Sequence, residues 1–212
     1  MGPWITLIAL GAFHGINPAM GWLFAVGLAL QEKSGRAIGR ALVPIAIGHA
    51  LSIGLTVLLL GIGRASLSVA ILEWVTAGAL IGFGLLKLIR PRHPRWVGMR
   101  VGFRDLLVWS FLMATAHGAG LMLLPVFLFS ADNPAPCHGP SCHSAAGLAL
   151  DSWPGYLAAI GLHTLAMLVV AGLAAYVIYY KFGLSILRQA WINLDHVWAV
   201  ALILAGVVAI IL

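Results

Sequence analysis

Six apolar runs, at about 4–30, 41–63, 67–89, 105–130, 154–180 and 193–212, fill almost the whole chain, and a helix needs only roughly 20 such residues to cross a bilayer. A soluble fold has nowhere to bury that much continuous apolar surface. Hydrophobic residues make up 62% of the 212 and charged residues 8%, where a soluble domain carries roughly 25% charged. These runs predict an all-α integral membrane protein with six transmembrane helices, residues 1–212 forming a single membrane domain. Met1-Gly2-Pro3-Trp4 has no basic stretch and no small-residue cleavage site follows, so the first run reads as a retained helix and not as a signal peptide.

The formal charge of +6 sits in short loops between the runs, where it serves the positive-inside rule and gives no reason to expect nucleic acid as a partner. Lys33, Arg36 and Arg40 follow the first run, Arg90, Arg92, Arg95, Arg100 and Arg104 the third, and Lys181 and Arg188 the fifth. These loops alternate onto one face, which is therefore expected to be cytoplasmic, with both termini facing outward. The remaining long loop, residues 131–153, lacks Lys and Arg and carries Asp132 and Asp151. A bacterial inner membrane fits this pattern.

The basic connector 91–104 divides the chain into two three-helix halves, 1–90 and 105–212. Their third runs align without gaps: Leu72-Glu73, Val75, Ala77, Ala79-Leu80-Ile81 and Gly84 fall on Leu194-Asp195, Val197, Ala199, Ala201-Leu202-Ile203 and Gly206. The first runs share His-Gly after a nearby alanine, at Ala12 to Gly15 and at Ala116-His117-Gly118, and the second runs share His-X-Leu, at His49-Ala50-Leu51 and His163-Thr164-Leu165. Because three is odd, the second half must cross the membrane upside down relative to the first. The expectation is a pair of inverted repeats, which in many secondary transporters meet around a substrate site near the midplane.

Polar residues inside apolar runs are costly and mark function by default. His14, His49, His117 and His163 each lie near the middle of a run, and four imidazoles can ligate a transition metal. The plainer alternative has each ring hydrogen-bonding a neighbouring carbonyl to hold helices together. Asn17-Pro18 should break or kink the first helix, because proline lacks a backbone donor and clashes with the preceding turn, and carbonyls freed there need a partner such as an ion. Glu73, Asp195 and His196, with Asn17, are candidates for orienting the ligands or carrying protons; a carboxylate at a helix start is equally explained by the helix dipole. Met20, Met113 and Met167 are candidate soft ligands or simple core filler. Cys137, His138, Cys142 and His143 in the outer loop can capture a tetrahedral ion, or the two cysteines can close a disulfide in an oxidising compartment.

His14-Gly15-Ile16-Asn17-Pro18-Ala19-Met20 resembles the His-Ala-Leu-Asp-Pro-Asp-His signature of the nickel/cobalt transporter family and its urease-accessory, NicO-like membrane relatives. Ile47-Gly48-His49-Ala50-Leu51-Ser52 is similar to that family's Gly-His-Ala/Ser element in the following span. The resemblance covers about the first two spans and implies a permease for divalent transition metals, with His14 and His49 matching family histidines. Asn17, Ala19 and Met20 stand where the signature has Asp, Asp and His, which removes two negative charges and one imidazole.

The leading expectation is a transition-metal permease, its ion one of Ni, Co, Cu or Zn, with the metal site made by the four histidines. No nucleotide-binding motif is visible, so a gradient or an unseen energising subunit would drive transport, and the small size suggests a homo-oligomer. The alternative is a membrane metalloenzyme, a di-metal or haem oxidoreductase using the same histidines and the two carboxylates.

Overall fold

The computed structural model describes residues 2–89, 102–132, 152–181 and 194–211. Among these residues there are eight α-helices and no strand: α1 (Pro3–Ile16), α2 (Trp22–Gln31), α3 (Arg36–Ser66), α4 (Val69–Ile89), α5 (Phe103–Ala116), α6 (Leu124–Asp132), α7 (Trp153–Lys181) and α8 (Leu194–Ile211), with short 3-10 turns at Pro18–Met20 and Leu121–Leu123. Two helices, Arg36–Gly63 and Trp153–Lys181, are long and apolar enough to cross a membrane, and a third span is available if α5 and α6, bent by 50° at their junction, act as one.

Two of the six expected runs are interrupted locally. The first run is cut at Asn17, where the backbone turns extended and Pro18 opens a 3-10 turn that Gly21 ends at φ 110°. The break expected at Asn17-Pro18 is therefore present. A second break, which the sequence reading did not foresee, cuts the fourth run at His117–Gly120, with Gly118 at φ 67°. Both positive φ angles fall on glycine, which has no Cβ to clash there. Helix α5 starts at Phe103, inside the connector drawn at 91–104, because the Asp105 side chain accepts from the backbone N–H of Gly102 and caps it.

The helices pack in three close pairs: α1 along α7, α3 along α5 and α4 along α8, with α3 also lying against α7. Gly11 and Gly15, a small-residue pair one turn apart, let the α1 backbone rest on α7, since a Cβ on either would run into the carbonyl oxygen of His163 or Met167. Such pairs drive helix association where lipid removes the hydrophobic incentive. Gly48 does the same against the Leu107 carbonyl of α5.

The burial pattern of α3 is compatible with a helix in lipid. Its buried stripe includes His49 and Ser52, whereas Val43, Ile47, Leu51, Leu55, Leu58, Leu59 and Ile62 are exposed. On α7, Leu157, Leu165, Val169 and Leu173 are exposed while His163 and Thr164 are buried. Three apolar clusters of buried residues are found among the described residues, two of them large. One of the two gathers Leu7, Ile53, Phe127 and Ala159, and the other gathers Trp22, Ile45, Met167 and Ala171. His49 lies one turn from both Ile45 and Ile53, and His163 one turn from both Ala159 and Met167, so the polar layer separates the two clusters.

Candidate metal centre

Four buried histidines occupy that layer: His14, His49 and His163 have no exposed surface and His117 has 1%. Three of the rings form a closed triangle, with centroids 5.0 Å apart for His14 and His163 and 5.6 Å for each pair with His49. The α1 glycines set the shortest side by bringing His14 down onto α7, and the α3–α7 contact brings in His49. His117 ends α5 at the second break, within electrostatic reach of His14.

Three of the four rings make the bond that the plainer reading predicts. His14 Nδ1 donates to the Leu10 carbonyl at 2.8 Å, His117 Nδ1 to Met113 at 2.9 Å, and His163 Nδ1 across helices to Leu7 at 3.2 Å. A carbonyl oxygen only accepts, so Nδ1 carries the proton in each case. In the neutral ring Nε2 then keeps its lone pair, the tautomer a metal ligand requires. His49 differs. Neither of its ring nitrogens has a hydrogen-bond partner, nor does Nε2 of His163. Across the α3–α5 contact the bond is made instead by Ser110, whose hydroxyl donates to the Ile45 carbonyl at 2.7 Å.

The triangle is not a ready-made cage. Among the described residues no group of three or more His, Cys, Asp or Glu is arranged to hold a metal ion. Two of the triangle's rings, His49 and His163, lie nearly parallel, at an interplanar angle of 3°.

The chain matches no protein-family model, no curated protein and no solved structure.

The other candidate residues are placed differently from the histidines. The carbonyls of His14, Ile16, Asn17 and Pro18 at the first break accept from Asn17 N–H, the Trp22 indole, Met20 N–H and Gly21 N–H. The chain itself supplies a donor to each of these four. Asn17 accepts from Ala19 N–H through Oδ1, and its buried Nδ2 has no partner. Glu73 is half-buried on α4, about two turns, or roughly 10 Å of helix, from Leu80, which packs with Met122, Leu10 and Phe13. Asp195 and His196 lie at the start of α8, their side chains outside the described set. Met20, Met113 and Met167 are buried, Met167 within an apolar cluster. Cys137, His138, Cys142 and His143 lie outside the described residues.

Sequence reasoning passed over a polar seam beside the histidines. Ser52 bonds Thr115 at 2.8 Å, Thr115 in turn donating to the Phe111 carbonyl, and the buried Thr164 hydroxyl and Trp109 indole have no hydrogen-bond partner. The signal was helical spacing, since Ser52 follows His49 by one turn and Thr164 adjoins His163.

Proposed function

We propose that this chain is a transmembrane permease for a transition-metal ion, related in design to the nickel/cobalt transporters that its first two spans resemble. The observation that carries the reading is His49, a fully buried imidazole with both nitrogens unpartnered, facing His14 and His163. A buried polar group left without a partner costs about 1–3 kcal/mol, and a ligand that uses the lone pairs would relieve that cost. In this reading His14, His49 and His163 hold the ion, His117 lies on its path, and Asn17 offers the break in α1 as a hinge.

An inverted repeat is supported by how the pairs form. Exchanging the halves maps α1–α7 onto α5–α3 and leaves α4–α8 as a pair. The α4–α8 crossing is reciprocal in detail, since Gly84 meets Ala199 and Ile203 while Gly206 meets Ala77 and Ile81. A cytoplasmic basic face and outward termini follow from the loop charges. Transport then proceeds by rocking one half against the other around the histidines, with an exposed Arg40–Glu32 ion pair at one end of α3.

Elemental analysis of detergent-purified protein, beside a variant with His14, His49 and His163 all replaced by leucine, tests the site. Uptake of the bound metal into proteoliposomes tests the carrier. The expected result is close to one metal per chain, lost in the variant, with uptake that depends on the same residues. Metal binding equal in both proteins overturns the site, and visible absorption of a haem or an oxygen-bridged metal pair in fresh protein would favour the enzyme reading.

A further inference from the structure

The chain has six acidic residues, and their distribution bears on which ion the histidine triangle takes. Glu32 is exposed and paired with Arg40, and Asp105 caps the exposed start of α5. Glu73 is half-buried in the opening turns of α4. Among the acidic residues whose side chains are described, Glu32, Glu73 and Asp105, none is buried. The buried polar residues among those described are His14, Asn17, His49, Ser52, Thr76, Ser110, His117, His163 and Thr164. All are neutral when their imidazoles act as ligands.

A ligand set without anions selects on charge. The cost of moving an ion from water into a low-dielectric interior rises with the square of its charge, so a divalent ion costs about four times what a monovalent one does. Neutral imidazoles offer lone pairs to both but compensate neither charge. A divalent ion held by three histidines would have to bring a hydroxide or other anion with it, and the apolar clusters on both sides of the layer leave such an anion poorly solvated. A monovalent closed-shell ion such as Cu(I) needs no counter-charge, accepts two or three nitrogen donors, and tolerates a trigonal arrangement. Resting on the permease reading, we infer that the histidine triangle selects a monovalent soft cation, Cu(I), over Ni(II), Co(II) and Zn(II). Asn17, three residues after His14 at the break, is a buried neutral side chain that one substitution converts to a carboxylate.

The test uses the full chain with Cys137→Ser and Cys142→Ser, so that thiolates do not capture the soft ion. Cu(I) held reduced by ascorbate, Ag(I) as a redox-inert stand-in, and Ni(II), Co(II) and Zn(II) are each dialysed against it and the bound metal counted. The expected result is one Cu(I) or Ag(I) per chain at an affinity at least about 100-fold above any of the three divalent ions, or about 2.7 kcal/mol. Adding His49→Leu and His163→Leu should abolish it. Asn17→Asp, which adds a charge at nearly constant shape, should raise divalent affinity by about tenfold or more, a gain that misfolding cannot mimic. Divalent ions binding the histidines as tightly as Cu(I), or Asn17→Asp leaving the preference unmoved, overturns the charge inference and leaves the permease reading standing. Cu(I) bound at the histidines without uptake into proteoliposomes supports the inference and sinks the permease reading. No metal of either charge at the histidines removes both.

Discussion

His49 and His163 are the same residue type in the same layer, yet their chemistry differs because only one of them finds a carbonyl. His163 donates to Leu7 and so joins α7 to α1, whereas His49 joins nothing by hydrogen bonding. The two should therefore respond oppositely to replacement. His49→Leu removes a desolvated, unsatisfied group and fills its space with carbon, so metal-free protein should melt at the same temperature or higher while losing its metal. His163→Leu breaks a bond across helices, a loss of about 1 kcal/mol, and should melt lower. Thermal unfolding in detergent without metal compares them directly; a His49→Leu protein less stable than His163→Leu would mean that His49 is bonded after all. Ser110→Ala, which loses the bond to Ile45, should also cost about 1 kcal/mol.

At the scale of elements, the site exists because backbones come unusually close. Gly11 and Gly15 seat α1 on α7, and Gly48 seats α3 on α5. Gly11→Ala places its Cβ against the His163 carbonyl and 3.0 Å from Ala166 Cβ, which forces the helices apart. The expected loss exceeds about 2 kcal/mol, within the range of overpacked cores, and metal binding should fall with it. Gly54 on the same α3 as Gly48 meets nothing within 4 Å, so Gly54→Ala should instead be neutral or stabilising by up to about 1 kcal/mol. Unfolding of the two variants by heat or denaturing detergent checks the contrast, and equal effects would remove the close-packing account. The helix breaks belong to this scale too. Gly118→Ala puts a Cβ at φ 67°, 3.0 Å from Leu202, and should cost about 1–2 kcal/mol for the left-handed backbone alone.

At the scale of the whole molecule, the described residues bury a few polar side chains between apolar clusters and turn aliphatic stripes outward on α3 and α7. Lipid is the solvent that such stripes need. Orientation in that lipid rests on loop charge, and the chain's only two cysteines, Cys137 and Cys142, offer a direct measurement. After mild reduction, a membrane-impermeant thiol reagent should label them in intact cells without permeabilisation. Labelling only after permeabilisation would reverse the orientation, placing the termini and this loop inside.

The apolar runs, the break at Asn17-Pro18 and the four histidines were legible in the sequence, because hydropathy, proline and an imidazole at membrane depth carry their cost wherever the chain goes. The second break at His117–Gly120 was harder to read, since glycine permits a turn without requiring one. Which rings meet was not legible. It depends on α1 choosing α7 and α3 choosing α5, contacts between residues more than 100 positions apart in the first case, settled by how closely glycine-bearing faces approach. The same holds for Ser110 closing on Ile45 and leaving His49 without a bond. Hydropathy and side-chain chemistry alone specify an apolar helical chain with imidazoles midway along its apolar runs; that three of them form a triangle follows from helix packing, because close approach is a property of pairs of surfaces and not of either segment alone.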